Sequence, residues 1–434
     1  MVTSQTATRR RPFHPAWIVA AVAFLALVGA AGFRAAPSVL MLPLNQEFGW
    51  STSVLSLAVS VNLLFFGLTA PFAAALMERF GIRRVTGVAL LLIAAGSGLS
   101  IFVNASWQLL LTWGVLIGLG TGSMALVFAA TVADTWFVKH RGLVVGILTA
   151  GSATGQLAFL PIIATLVQNV GWRQASLVCA AGALVVVPLV IIFLRNRPAD
   201  LGVTPFGSPA LLDAEPTPIA TDGPNAARRA ISALVRASKV RTFWALVAGF
   251  AICGATTNGL IGTHFIPSAV DHGLPETAAA GLLAVVGVFD IVGTIASGWL
   301  TDRINPRYLL VGYYGFRGVS LLILPYLLSA TIQPPIVLFV VIYGLDWVAT
   351  VPPTVALARE VFGKDGPIVF GWIFAAHQIG AAVAATTAGV VRDDFGSYTP
   401  AWLGAAGLCA IAAIVSGSIT RKPKAALSSV GPSE

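Results

Sequence analysis

Twelve stretches of this chain are apolar over about 20 residues or more, the length that crosses a bilayer as a helix. They lie near 16–44, 51–77, 85–104, 107–133, 141–168, 174–194, 243–270, 276–300, 307–329, 335–359, 367–391 and 398–420. Backbone in hydrocarbon must satisfy its own hydrogen bonds, and helices do so within one segment. The expected fold class is an all-α membrane protein with twelve transmembrane helices. Charged residues make up 10% of the chain, against about 25% in soluble proteins, so most of the length is committed to lipid or to a packed bundle. The first stretch is too long for a secretory signal and shows no small-residue cleavage site before a soluble body.

The net charge of +9 would suit a nucleic-acid partner if it were clustered, but its placement argues for topology instead. Of the 26 Lys and Arg, 22 fall on the side of the N-terminus and the even-numbered loops. Arg173 and Arg392 fall on the opposite side, and Arg34 and Arg317 within spans. This is the positive-inside pattern, with both termini expected in the cytoplasm and the chain in a plasma (inner) membrane. Cys179, Cys253 and Cys409 each fall in a span, which fits neither a disulfide framework nor a metal site. No G-x-x-x-x-G-K-[ST] loop and no credible catalytic triad occur, so neither ATP-driven pumping nor enzymatic chemistry is expected.

Residues 1–194 and 243–434 each hold six spans, and 195–242 connect them. The connector carries Pro198, Pro205, Pro209, Pro216, Pro218 and Pro224 with few apolar residues, the composition of a flexible cytoplasmic linker. At its end Ile231, Leu234 and Val235 recur at helical spacing among Arg228, Arg229, Arg236, Lys239 and Arg241. That pattern reads as a basic amphipathic helix on the membrane surface, or as an ordinary solvated linker end. The halves repeat at an offset of 224–225 residues: Glu47 and Gly49 map to Asp271 and Gly273, Glu78-Arg79 to Asp302-Arg303, and Gly146, Gly155 and Gly171 to Gly371, Gly380 and Gly396. Parallel six-helix repeats are an architecture of secondary transporters that rock about a central site.

Two similar turns follow the second and eighth spans. One runs Ala74-Ala75-Leu76-Met77-Glu78-Arg79-Phe80-Gly81-Ile82-Arg83-Arg84, the other Gly298-Trp299-Leu300-Thr301-Asp302-Arg303-Ile304-Asn305-Pro306-Arg307. An acid at a helix end among cations can bond a neighbouring helix end and hold a gate closed; plain positive-inside anchoring is the other reading. Both turns resemble the loop signature of the major facilitator superfamily, with Ala74 and Glu78 departing from its glycine and aspartate. The resemblance implies the major facilitator fold, with Glu78, Arg79, Arg83, Asp302, Arg303 and Arg307 at a cytoplasmic gate. Trp136 to Gly151, an aromatic-basic entry followed by spaced glycines, resembles the monocarboxylate transporter and oxalate–formate antiporter branch, as does Phe48-Gly49-Trp50. Gly142, Gly146, Gly151 and Gly155 form small faces that let helices approach. The branch departs where monocarboxylate carriers place an aspartate and arginine one turn apart: Asp290 is followed there by Thr294. Span eleven has His377 where oxalate–formate carriers use a basic residue, so from that binding pair Asp290 alone carries over.

Four charges fall inside spans. Asp290 and Arg317 lie ten residues from their expected cytoplasmic helix ends and Asp346 eleven from its outer end, all about 15 Å deep. They form either a buried pair or triad that locks three helices, or a proton relay or anion site. Arg317 is the shared cation for which Asp290 and Asp346 compete, and the acid left less paired suits proton coupling. The resemblance slightly favours Asp290. Arg34 shares its span with Gly29, Gly32, Pro37 and Pro43, which break or bend a helix. No acid of the N-terminal half lies deep enough to pair with it, so Arg34 either clasps an anionic substrate or snorkels to the interface. Asn62, Gln156, Asn258, His264 and His377 are further substrate-binding candidates on spans expected to line the path. Each could instead bond a neighbouring backbone or simply pack. Tyr343 and Trp347 flank Asp346 and shape a pocket or pack.

The resulting expectation is a secondary active transporter of a small organic anion, a monocarboxylate, proton-coupled and working by alternating access. Its partners are that anion, protons and the bilayer. It needs no cofactor or metal and no nucleic acid, and it is a monomer. One alternative is a proton-coupled exporter of lipophilic or toxic compounds, against which the absence of drug-exporter motifs around Gly114–Gly118 and Gly151–Gln156 counts. The other is a receptor or sensor built on a carrier fold.

Overall fold

Long apolar runs punctuated by glycine and proline fold into helices whose ends sit where those punctuators stand. The computed structural model describes residues 14–124, 126–208 and 226–419. The linker prolines at 209, 216, 218 and 224 lie outside the described residues. The helices are α1 Pro15–Phe48, α2 Thr52–Phe80, α3 Ile82–Leu99, α4 Ser106–Trp136, α5 Arg141–Val170, α6 Trp172–Phe193, α7 Ala226–Ala237, α8 Arg241–Asp271, α9 Glu276–Thr301, α10 Pro306–Ile323, α11 Pro334–Phe362, α12 Gly366–Phe395 and α13 Thr399–Gly417. Among the described residues eleven helices are long and apolar enough to cross a membrane. α5 spans 30 residues, and its described apolar stretch is Phe159–Val170.

The repeat found in the sequence has a conformational cause at two of its glycines. Gly49 and Gly273, which follow α1 and α8, take φ of +65° and +85°. Gly171 and Gly396, which follow α5 and α12, take +91° and +67°. Only a residue without Cβ enters that region at little cost, so both copies keep glycine there. By contrast, α1 continues as helix through Pro37 and Pro43, so neither proline breaks it. Two π-helical turns went unseen in the sequence: Leu110–Ile117 within α4 and Ala255–Ile261 within α8. Such turns leave carbonyls without regular partners, and side chains supply the donors here. Asn62 donates to the Trp113 carbonyl at 2.7 Å, and the Tyr343 hydroxyl to that of Thr256 at 2.8 Å.

Helices α1–α6 pack with one another, as do α8–α13, and the halves meet through α2 on α12, α5 on α9 and α1 on the last part of α8. The seam between α2 and α12 is close. A Cβ on Gly67 would come 2.5 Å from Gln378 Cβ, and one on Gly389 3.0 Å from Ser53 Cα. The Ser60 hydroxyl bonds the Ala382 carbonyl at 2.5 Å and shares a 2.7 Å hydrogen bond with Thr386.

The expectation of a freely flexible linker is corrected over its described parts. Residues 195–208 are fastened to the N-terminal half: the Phe206 N–H donates to Trp136 O at 2.8 Å, and Val138 N–H to Phe206 O at 2.9 Å. The Phe206 ring sits edge-on to Trp17 and His14, at 5.6 and 5.4 Å between centroids. One aromatic side chain with a pocket outweighs the proline-rich composition around it. The amphipathic helix α7 is present, and its small side chains face the protein. Ala230, Ala233 and Ala237 are buried, against α2 and α12, whereas Ile231 and Val235 are exposed. Trp372 Nε1 donates to Ala230 O at 2.9 Å, and Arg236 pairs with Asp365 at 2.8 Å. Small side chains let α7 seat on protein, straddling both halves.

Candidate functional site

Three of the four in-span charges meet between α8, α9, α10 and α11. The first part of α11 ends at Asp346, and residues 347–350 form turns before helix resumes at Val351. That interruption turns backbone carbonyls sideways, and Arg317 of α10 takes them. Its Nε donates to Asp346 Oδ2 at 2.6 Å, and one terminal nitrogen to Asp346 O at 2.6 Å and Trp347 O at 3.3 Å. The other terminal nitrogen reaches Cys253 Sγ at 3.0 Å and Thr256 Oγ1 at 3.4 Å on α8. Arg317 is 1% exposed and Asp346 6%, so this pair is enclosed.

Asp290 of α9 is 8% exposed and bonds differently. Its Oδ1 accepts the Thr294 hydroxyl at 3.0 Å and the Val348 N–H at 3.1 Å. Both donors are neutral. The approach depends on glycine: a Cβ on Gly293 would overlap the Leu345 carbonyl, and one on Gly344 would lie 2.7 Å from Val286 O. The competition for Arg317 thus ends with Asp346 holding the guanidinium and Asp290 holding a hydroxyl and an amide. Thr294, standing where the resemblance anticipated an arginine, is what Asp290 bonds.

The other candidates are dispersed. His264 is fully buried, its Nε2 2.8 Å from Ala385 O and its Nδ1 3.4 Å from the Tyr398 hydroxyl, so it ties α8 to α12 and the α12–α13 turn. His377, 8% exposed, lies against Phe250 and Phe374, with centroids 4.8 and 5.8 Å away. Asn62 faces the interior of the N-terminal half, on a small cavity shared with Pro37, Ser97, Trp113 and Ser176. Asn258 is half-buried in the π-helical turn of α8, where its carbonyl accepts the Thr263 hydroxyl at 2.9 Å. Arg34 lies in α1 and Gln156 in α5, but their side chains lie outside the described residues, as does that of Glu78. Asn62 and His264 are therefore not brought to the Asp290–Arg317–Asp346 cluster. Each makes its hydrogen bonds within its own half. Among the described residues no group of three or more His, Cys, Asp or Glu could hold a metal ion.

The described gate residues make their bonds close to their own helix ends. Asp302 is exposed, and Arg303 folds back with its guanidinium 4.0 Å from the Trp299 ring centroid and a 3.0 Å bond to Trp299 O. Arg307 reaches Tyr308 Oη at 2.8 Å, Arg79 lies over Phe80, and the Arg83 N–H donates to Asn196 Oδ1 at 3.1 Å. On the opposite face the structure shows bonds that the residue patterns did not reveal. Glu47 accepts both terminal nitrogens of Arg173, at 2.9 and 2.5 Å, and Trp172 Nε1 at 2.6 Å. Its repeat partner Asp271 takes Arg392 at 2.7 and 3.2 Å. A signal was present: two repeat-related acids and two arginines on one side of the chain.

The profile of the Major Facilitator Superfamily matches residues 22–366. The chain is 25% identical to the MFS-type transporter YcxA of Bacillus subtilis (strain 168), over 88% of this chain and 90% of that one. It is 26% identical to monocarboxylate transporter 13 of Rattus norvegicus, over 89% and 85%, and 26% to monocarboxylate transporter 11 of Homo sapiens, over 92% and 83%. Its fold matches the inward-open xylose transporter XylE from E. coli with a TM-score of 0.71 at 15% identity, covering 94% of this chain and 98% of that one. An inward-facing, unoccupied bacterial homolog of the human lysosomal transporter Spinster matches at 0.67 and 14%, covering 93% and 95%. With the helices, the repeat and this match over most of its length, the chain belongs to the Major Facilitator Superfamily and is a membrane transporter, not an enzyme.

Proposed function

We propose that the protein carries a small organic anion, a monocarboxylate, across the membrane together with protons, by exposing one central site alternately to the two faces. The observation that carries the substrate class is the similarity, over some nine-tenths of the chain, to proteins named monocarboxylate transporters. Arg34 clasps the carboxylate, because a guanidinium on α1 with no acid at its depth in the N-terminal half has a charge left for the cargo. Asp290 carries the proton. What supports this is its burial with neutral hydrogen-bond donors among the described residues, while Asp346 holds the Arg317 guanidinium directly. His377, on the eleventh span, assists, and the linker face is cytoplasmic, in a plasma membrane, on the strength of its arginines and lysines.

The test is uptake of short radiolabelled monocarboxylates into proteoliposomes with and without an inward proton gradient. Arg34→Gln is expected to cut uptake at least tenfold, as loss of a charged hydrogen-bond partner does. Asp290→Asn is expected to abolish gradient-driven accumulation while leaving exchange of the same acid across the membrane. Equal uptake by wild type and Arg34→Gln would remove Arg34 from the site, and an intact gradient response in Asp290→Asn would remove the proton from Asp290.

A further inference from the structure

The first N–H groups of a helix have no acceptor within it. In α2 these belong to Thr52 and Ser53, and the group that accepts them comes from the other half of the molecule. Asp393, in the last turn of α12, takes Thr52 N–H on Oδ1 at 3.1 Å and Ser53 N–H on Oδ2 at 2.8 Å. Ser51, the cap of α2 itself, accepts Val54 N–H at 3.4 Å and shares a 2.8 Å hydrogen bond with the Ser53 hydroxyl, so the Thr52 and Ser53 amides are left to Asp393. A carboxylate at a helix N-terminus is also favoured by the helix dipole. The hydrogen bonds of the neighbouring Arg392 go elsewhere, to Asp271.

The surrounding packing makes this contact sensitive to separation. One turn back on α12, Gly389 lies where a Cβ would come 2.6 Å from Ser56 Oγ and 3.0 Å from Ser53 Cα. The ends of α2 and α12 therefore touch backbone to side chain, and a small parting breaks both hydrogen bonds. On the linker face the described residues of the acidic-basic turns, Arg79, Arg83, Asp302, Arg303 and Arg307, make their bonds within their own halves.

We infer that Asp393 is a positioning residue for transport: it latches α12 onto the start of α2 and holds the two halves closed on the face opposite the linker. The inference rests on the alternating-access reading, in which this face must open once per cycle. Release exposes the carboxylate and two amides to water, so the latch biases an equilibrium without locking it. Asp393 is exposed, so solvent screens its charge and the bias is modest.

The experiment measures distances between spin labels in the full-length protein in nanodiscs. Labels replace Phe102 of the N-terminal half and Tyr326 of the C-terminal half, both on the latched face and 72% and 77% exposed. The unsubstituted protein labelled in parallel gives the background from native cysteines. Two variants remove the latch from opposite sides. Asp393→Asn removes the charge. Thr52→Pro deletes one N–H at the first helical position, where proline is well accepted. Each is expected to raise the ratio of long to short distances about threefold, the size of a helix-dipole contact at the surface. If wild type shows both distances and neither variant changes their ratio, the latch is overturned while alternating access stands. A single fixed distance in all three proteins overturns alternating access, and the latch with it.

Discussion

Arg317 offers five N–H donors, and every one of its nitrogens finds an acceptor: the Asp346 carboxylate, the carbonyls of Asp346 and Trp347, and side chains of Cys253 and Thr256. Such a pair resists replacement of one partner more than of both. Arg317→Gln leaves a carboxylate buried without its cation, and a loss of about 3–5 kcal/mol is expected, read as a fall in the thermal unfolding midpoint in detergent. Adding Asp346→Asn should recover most of it. A single variant that melts with wild type would show that the pair contributes no net stability. The sequence placed Arg317 and both acids at one depth but could not choose between them. The choice depends on the turns after Asp346, which aim two carbonyls at α10, and no residue spacing encodes that aim.

At the level of helices, glycine decides where backbones meet, and the glycines are not alike. Gly293 lies against the Leu345 carbonyl, so a methyl group there would have to push α9 from α11 and draw Asp290 from Val348. Gly293→Ala is expected to cost about 1–3 kcal/mol in thermal unfolding, the range for overpacking. Gly146 has nothing within 4 Å, so Gly146→Ala is expected to be neutral or to stabilise by about 0.5–1 kcal/mol through helix propensity. Equal midpoints for the two alanine variants would contradict this account. The sequence read Gly142, Gly146, Gly151 and Gly155 as small faces for helix approach. The structure instead puts Gly151 against Phe24 and leaves Gly146 without a neighbour. Similarly, α7 was legible as an amphipathic helix from Ile231, Leu234 and Val235, yet it buries Ala230, Ala233 and Ala237. A hydrophobic pattern shows that a face exists, while the surface opposite selects which side chains fit.

Across the whole molecule the halves are held by α2 on α12, α5 on α9 and α1 on the last part of α8, and motion between them must use these seams. Gly67 sits in the first seam, where an added Cβ would meet Gln378 Cβ at 2.5 Å. Gly67→Val is therefore expected to slow turnover in proteoliposomes severalfold and to cost about 1–3 kcal/mol of stability, read as a lower unfolding midpoint. Wild-type turnover in that variant would place the working seam elsewhere. Much of this scale was legible beforehand. Apolar length determined helices across a membrane, the offset repeat determined two related halves, and the acidic-basic turns pointed to the superfamily, because each is a property of residues near one another in the chain. What the sequence left open were contacts between distant residues: Arg317 with Asp346, Phe206 against Trp17, and Asp393 on the first turn of α2. Their partners lie 29, 189 and more than 300 positions apart. Hydrocarbon compels a helix locally, through the cost of an unbonded backbone. Which charge meets which donor is settled only when close packing fixes the helices against each other.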